Sequence, residues 1–364
     1  MAFLLFGCGP QNAAPAPAPA TTPQATLAPA PAPAPAPLPA PAPAPAPPPD
    51  PTVTITDIAG RTVTLPEPAE KVVGTHNPTM NIAVILGGGG KYIAGFGNKN
   101  MAIGLYDHVF PELRDNVPQI GMGREINFES VLAAGADLAI LPERFANLAD
   151  EFEDLGIAAA VILPNEESFD TIKNSVSMLG VLLGEDERAA KINAFFDERI
   201  AAARTIAGRM TNQPRAMFTG GSSPTTVANG AMLQSVILET AGASNVAKDV
   251  AGAGGFIEVD LEEVIGWNPE IIFIPAYSTF TVDELLSDPA WGSIQAVRDG
   301  KVFVFPSHLD PWDFPTPSVA MGLVWLLNNL YPQSYSMDQV IRDANEFYQL
   351  VYGQTFTAEQ LGIR

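Results

Sequence analysis

The chain has 364 residues, of which 47% are hydrophobic, and its formal net charge is −21. This length exceeds what one compact core usually holds, so it predicts two globular units. Because an acidic body is repelled by nucleic-acid phosphates and by anionic lipid headgroups, the charge argues against binding to either partner.

Cys8 is the one cysteine of the chain, so no internal disulfide or cysteine-rich zinc site can form. It follows a short apolar run ending in glycine, which is typical of the end of a lipoprotein signal peptide. An incidental cysteine after an apolar start is the alternative. We expect residues 1–8 to be a truncated lipoprotein signal in which Cys8 is lipidated.

Residues 9–51 are nearly all Ala and Pro. Such a composition cannot build a packed core and predicts a disordered, extended tether. No later apolar stretch is long enough to predict a transmembrane helix. An anchor, a tether and an acidic body together predict an extracytoplasmic protein held at the membrane.

The folded part opens with residues 53–73, which predict two alternating strands around a turn at Ala59 and Gly60. Strands then alternate with helices. The predicted strands are 71–75, 92–96 and 159–163, and the predicted helices are 80–86 and 145–155. This alternation indicates right-handed crossovers and a parallel sheet covered on both faces.

A sequence pattern at residues 127–142 returns at residues 260–275. In each copy a glutamate opens a short amphipathic helix, a turn follows, and an apolar strand ends at proline. Glu129 corresponds to Glu262 and Pro142 to Pro275, with the same offset for both pairs. The repeat predicts two related halves.

Between the halves, residues 185–210 carry apolar residues at helical spacing and predict one long helix. The second half repeats the plan of the first, with predicted strands at 215–219 and 302–305 and predicted helices at 233–241, 317–330 and 337–352. We expect an α/β protein with two Rossmann-like lobes, parallel sheets, one long α-helix joining them and a ligand cleft between the lobes. The predicted divisions are 52–184 for the first lobe, 185–210 for the linking helix and 211–364 for the second lobe.

Ligands of open parallel sheets bind beyond the carboxyl ends of the strands. The loops predicted there contain aromatic and small polar residues that suit a ligand cleft. The candidate ligand-binding residues are His76, Asn77, Tyr106, Arg144, Ser222, Phe256, Tyr277, His308, Trp312 and Asp313. For each the alternative is an ordinary loop role, and for Trp312 it is packing under the following helix.

Enzyme motifs are incomplete in this sequence. The run 95–97 lacks the third glycine of a dinucleotide fingerprint, residues 87–90 lack the Lys-Ser/Thr of a phosphate loop, and residues 220–224 lack the Gly-x-Ser-x-Gly spacing. We expect a binding protein without catalysis or cofactor. Two alternatives stay open: direct Zn(II) or Mn(II) binding by converging His76, His108 and His308, and an extracytoplasmic enzyme or metallochaperone.

Three signatures resemble the substrate-binding proteins of ABC importers for iron-siderophore complexes, haem and vitamin B12. The first is the opening, in which Asp57, Gly60, Arg61 and Pro66 precede a Lys-Val-Val strand, and the second is the pair of repeats. The third is Trp312-Asp313-x-Pro315 followed by Gly322-x-x-Trp325-Leu326 and Leu330-Tyr331-Pro332. The resemblance covers the chain from residue 53 onward.

The resemblance implies a monomeric protein that captures an iron chelate and delivers it to an ABC permease. A ferric siderophore is the first expectation for the ligand, and haem or a corrinoid is the next. The resemblance also implies that Glu129 and Glu262 dock on permease arginines. The linking helix of this family limits lobe closure to small movements.

Overall fold

Residues 52–99, 104–252 and 255–363 are described by a computed structural model. The predicted lipidation site at Cys8 and nearly all of the predicted tether lie outside the described residues. Both stay predictions, as do the limits of the predicted divisions.

The first two strands, β1 (Val53–Thr56) and β2 (Thr62–Leu65), pair antiparallel as predicted. Asp57 organises the turn between them. Its Oδ1 accepts the backbone N–H groups of Ala59 at 3.0 Å and Arg61 at 2.9 Å, and its Oδ2 accepts the N–H of Val161 at 3.1 Å. Gly60 has a φ of 78°, which favours glycine. One buried carboxylate therefore closes the hairpin and fastens it to the first sheet.

The first lobe is built on a parallel four-stranded sheet with the order β4-β3-β7-β8. Every residue of β7 is buried, because helices cover both faces of the sheet. The strands of this lobe are β3 (Val72–Gly74), β4 (Ile93–Phe96), the antiparallel pair β5 (Gly121–Met122) and β6 (Glu125–Ile126), β7 (Leu138–Pro142) and β8 (Ala158–Leu163). The helices are α1 (Asn77–Gly87), α2 (Tyr106–Val109), α3 (Leu113–Asn116), α4 (Phe128–Ala134), α5 (Ala149–Glu153) and α6 (Phe169–Leu183).

The second lobe has its own parallel four-stranded sheet, with the order β11-β9-β13-β14. Its strands are β9 (Arg215–Phe218), the antiparallel pair β10 (Thr226–Val227) and β12 (Ile257–Glu258), β11 (Ser244–Asn245), β13 (Ile271–Pro275) and β14 (Val302–Phe305). Its helices are α8 (Leu233–Thr240), α9 (Leu261–Trp267), α10 (Val282–Ser287), α11 (Gln295–Arg298), α12 (Val319–Leu330) and α13 (Met337–Tyr352). The predicted α/β architecture with two parallel sheets in separate lobes is confirmed.

The sequence repeat corresponds to one structural unit in each lobe. α4 with β7, and α9 with β13, form the two copies, and each strand lies between the two equivalent neighbours of its sheet. Both helices end on a left-handed residue, Gly135 with φ 67° and Asn268 with φ 46°. Such a cap stops a helix sharply, so the chain turns directly into the strand.

A 22-residue helix, α7 (Asp186–Ala207), lies between the two sheets in chain order. Its buried face, which includes Phe196 and Ile200, belongs to the core cluster that continues through both lobes. Arg188 donates from Nε to the backbone oxygen of Ile85 at 3.3 Å and from its terminal nitrogen to the backbone oxygen of Val351. One arginine of α7 thus holds the last turn of α1 in the first lobe and of α13 in the second.

Two local predictions differ from the structure. The predicted helix 145–155 is a 3-10 turn over Glu143–Leu148 followed by the short helix α5. Helix α6 was not predicted, although Ser168 and Thr171 form a capping box at its start. Within the described ranges, none of the helices is both long and apolar enough to cross a membrane.

Candidate functional site

His76 follows β3 and is 8% exposed. Its backbone oxygen accepts the hydroxyl of Thr79 at 2.9 Å and the N–H of Met80 at 3.1 Å, and its ring meets Phe145 edge-on at 6.3 Å. Burial, and then the nearby charge of Arg144, lower the pKa of His76 to about 3. The imidazole is therefore neutral near pH 7, and its Nδ1 lacks a hydrogen-bond partner among the described residues.

Two arginines share the ring of Phe145 at the start of the 3-10 turn that follows β7. The guanidinium carbons of Arg144 and Arg124 lie 5.4 Å and 5.2 Å from its centroid. Burial, together with Arg124, lowers the pKa of Arg144, whereas Glu167 opposes this shift. In the described part of the chain neither arginine forms a salt bridge. The pair leaves positive charge at the carboxyl edge of the first sheet.

Glu167 follows β8 and was missed by the sequence analysis. Burial raises the pKa of its carboxyl to about 7, and the attraction of Arg144 opposes that shift. The charge of Glu167 also contributes to raising the pKa of Tyr277 in the second lobe. Glu167 and Tyr277 therefore face each other between the lobes. Searching the carboxyl end of every predicted strand would have found Glu167.

Tyr277 follows β13, and its hydroxyl donates to Asp313 Oδ2 at 2.7 Å. Its ring meets Phe314 edge-on at 5.9 Å. Gly221 permits this position, since a Cβ there would lie 3.0 Å from the Tyr277 ring. Asp313 is fully buried, its Oδ1 has no partner among the described residues, and burial raises its pKa to about 6.

We call His76, Arg144, Glu167, Tyr277 and Asp313 the interlobe site. The first three belong to the first lobe and the last two to the second. The site combines a guanidinium, a neutral imidazole and a phenol with two carboxyls whose pKa values are raised. Groups of this kind can donate hydrogen bonds to an anion, with the arginine supplying the charge.

Two of the predicted ligand-binding residues are buried in the core. Trp312 is 1% exposed and its indole N–H donates to the hydroxyl of Tyr348 at 2.9 Å, so it does not present a flat surface to a ligand. Tyr106 is 3% exposed and its hydroxyl donates to Asn81 Oδ1 at 3.3 Å. Both predictions are corrected: these side chains pack inside the protein because their polar tips find partners there.

The remaining candidates lie on loops or helix ends around the strands. Asn77 opens α1, and the exposed Ser222 follows β9. Phe256 lies over Gly220, where an added Cβ would be 3.0 Å from its ring. His308 is exposed and close to Gly362. Their roles in binding stay predictions.

The three histidines have separate environments. His76 contacts Phe145, His108 meets Phe356 at 5.4 Å, and His308 is near Gly362. Across residues 52–99, 104–252 and 255–363, no group of three or more His, Cys, Asp or Glu residues could hold a metal ion. The predicted convergence of the histidines on Zn(II) or Mn(II) is wrong.

Known proteins similar to this chain include the molybdate-binding protein MolA of Haemophilus influenzae, which is 27% identical over 323 residues, 83% of this chain and 91% of MolA. A vitamin B12-binding protein of Pectobacterium carotovorum is 27% identical over 185 residues, 50% of this chain and 66% of that protein. A structure of MolA bound to molybdate superposes with a TM-score of 0.72 at 25% identity, covering 84% of this chain and 99% of that one.

A periplasmic solute binding protein of Veillonella parvula shares the fold, with a TM-score of 0.74 at 22% identity over 85% of this chain and 96% of that one. A family described as periplasmic binding protein matches residues 82–309. This match covers more than half of the chain and contains both sheet repeats. The chain therefore belongs to the periplasmic binding protein family.

Proposed function

We propose that this protein captures a small oxyanion of the molybdate class at the interlobe site and delivers it to the permease of an ABC importer. The family consists of extracytoplasmic solute-binding proteins, which are not enzymes and which serve such importers. Molybdate is the ligand named for MolA, which is similar over 83% of this chain. We propose the same class of ligand here.

The pair of arginines on Phe145 is the observation that carries this proposal. The chain has a net charge of −21, so positive charge without a salt-bridge partner is unexpected on its body. Arg144 and Arg124 lie together at the carboxyl end of β7, where burial and mutual repulsion lower the pKa of Arg144. An anion between the lobes would neutralise both charges and bind the planar guanidinium groups through paired hydrogen bonds.

Calorimetric titration of the full chain tests this function. Molybdate and tungstate should bind with one site per chain. Arg144→Ala should weaken binding by at least tenfold, because one buried charge-assisted contact is worth about 1.5–3 kcal/mol. The matched control is Arg209→Ala, an exposed arginine after α7. Unchanged molybdate binding by the Arg144 variant would count against this site.

An iron chelate is the second candidate, with a ferric siderophore first and haem or a corrinoid next. The Tyr277 and Phe314 rings, 5.9 Å apart, favour it because aromatic surfaces suit bulky ligands. The relative named as a vitamin B12-binding protein supports the corrinoid. Native mass spectrometry of the full chain from its own host separates the candidates, because their added masses differ widely.

For docking we propose Glu129 and Glu262, each exposed in the first turn of its repeat helix. Each has an exposed aliphatic residue three positions later, Leu132 at 50% and Ile265 at 38% exposure. Residues three apart lie on the same helix face. Two equivalent patches, each with one carboxylate and one apolar side chain, suit a two-fold permease with arginines at its surface.

For the membrane we propose attachment through lipid at Cys8, with residues 9–51 as the tether. The composition of the tether and the glycine before Cys8 support this proposal. Residues 52–184, 185–210 and 211–364 are the proposed first lobe, linking helix and second lobe. We propose a monomer that holds its ligand unchanged.

A further inference from the structure

Glu167 is a half-buried carboxyl that anion capture alone leaves without a role. Two contacts fix its loop. The N–H of Asn165 donates to Glu143 Oε2 at 2.8 Å, and Ser168 caps α6 by accepting the N–H of Thr171 at 3.2 Å. Since Glu143 opens the 3-10 turn that carries Arg144, the loop is tied to the arginine-bearing turn.

Charged and titratable groups of both lobes surround the Glu167 carboxyl. Arg144 attracts it within the first lobe, and Tyr277 is affected by its charge from the second lobe. Arg124 lies beside Arg144, and Asp313 lies under Tyr277 as the acceptor of its hydroxyl. Arg144 is thus the one cation that acts directly on Glu167 in the described residues.

An anion between Arg144 and Tyr277 would be adjacent to Glu167. His76, neutral near pH 7, would add no charge to this contact. An ionised Glu167 would repel the anion, and the repulsion is stronger in a partly buried site than in water. A protonated Glu167 removes the repulsion and supplies an O–H donor. Burial brings the pKa of Glu167 to about 7, so protonation is accessible near neutral pH.

We propose that the anion binds together with one proton, which the carboxyl of Glu167 holds. This inference rests on the proposed function, because it requires an anion at the interlobe site. Binding and protonation are linked, so each favours the other equally. A donating Glu167 also sets specificity: it favours oxyanions whose oxygens only accept hydrogen bonds.

The test is calorimetry of the full chain with molybdate, which stays a dianion over this range, from about pH 6 to about pH 8 in buffers of different ionisation enthalpy. Wild type should take up a proton, and its affinity should be about tenfold weaker at the higher pH. Glu167→Gln keeps the side-chain shape but cannot titrate, so most of the proton uptake and of the pH dependence should be lost. Glu166→Gln, at the exposed neighbouring position, is the matched control and should behave as wild type.

Asp313→Asn distinguishes the second carboxyl of the site. Proton uptake lost in the Asp313 variant but kept in the Glu167 variant would overturn the proposal. Molybdate binding by wild type without pH dependence would also overturn it and would leave the proposed function intact. Absence of molybdate binding at every pH would overturn the proposed function, and this inference with it.

Discussion

Asp310 shows at the scale of one residue how burial decides chemistry. It follows β14, is 2% exposed and accepts the hydroxyl of Tyr348 at 3.4 Å, while its Oδ1 has no partner among the described residues. Burial raises its pKa to about 6, despite hydrogen bonds that favour the charged form. The carboxyl therefore ionises in the native protein at a higher pH than in the unfolded chain.

This shift predicts a pH-dependent cost. Between about pH 4 and about pH 6 the native protein binds more protons at Asp310 than the unfolded chain does, so its contribution to stability falls as pH rises. Asp310→Asn should gain up to ~3 kcal/mol relative to wild type across this window. Urea unfolding at several pH values measures it, with the exposed Asp249→Asn as control. A difference that is constant with pH would contradict the role given to Asp310.

Single residues also mark the limits of sequence analysis. The carboxyl-end rule identified the regions of His76, Arg144 and Tyr277, but it could not say which side chains point inward. Trp312 and Tyr106 were expected at the ligand and are in the core, because their partners Tyr348 and Asn81 are distant in sequence. Glu167 was missed because two consecutive glutamates in a turn resemble a solvated loop.

At the scale of elements, periodic patterns were the reliable signal. The hairpin, the repeated helix-turn-strand unit and α7 were predicted from spacing and caps that act locally. The break in the helix predicted over 145–155 was not, since it depends on how the turn packs against β7 and β8. Helix α7 also has a function that spacing cannot show, which is the contact of Arg188 with both lobes.

Arg188→Ala should destabilise the protein by ~1.5–3 kcal/mol, because two backbone oxygens at helix ends lose a charged donor. The measurement is the free energy of unfolding in urea. Arg204→Ala, at an exposed position on the same helix, controls for the loss of an arginine from α7. Equal stability of the two variants would show that Arg188 does not hold the lobes.

The two repeat helices carry the docking prediction. Charge reversal at both Glu129 and Glu262 should abolish uptake through the reconstituted importer and leave ligand affinity unchanged, because both side chains lie in helices α4 and α9 rather than at the interlobe site. Alanine at Leu132 and Ile265 should reduce uptake further from a partly active single variant. The exposed Glu151, reversed alone, is the control. A loss of ligand affinity in the double reversal would place these glutamates on the wrong surface.

At the scale of the whole molecule, an acidic protein holds its free positive charge between two lobes of related topology. The acidic surface disfavours nonspecific anion binding, whereas Arg144 and Arg124 create a local exception at the carboxyl edge of the first sheet. Tyr277 and Asp313 complete the site from the second lobe. The ligand is thus expected to contact both lobes and to favour their closed arrangement.

The most direct measurement is a crystal structure of the full chain grown with molybdate, with diffraction recorded at the molybdenum absorption edge. We predict one anomalous peak per chain at the interlobe site, within hydrogen-bond reach of Arg144 and Tyr277. No peak there, or a peak only on the outer surface, would contradict the central claim that this protein carries an oxyanion between its lobes.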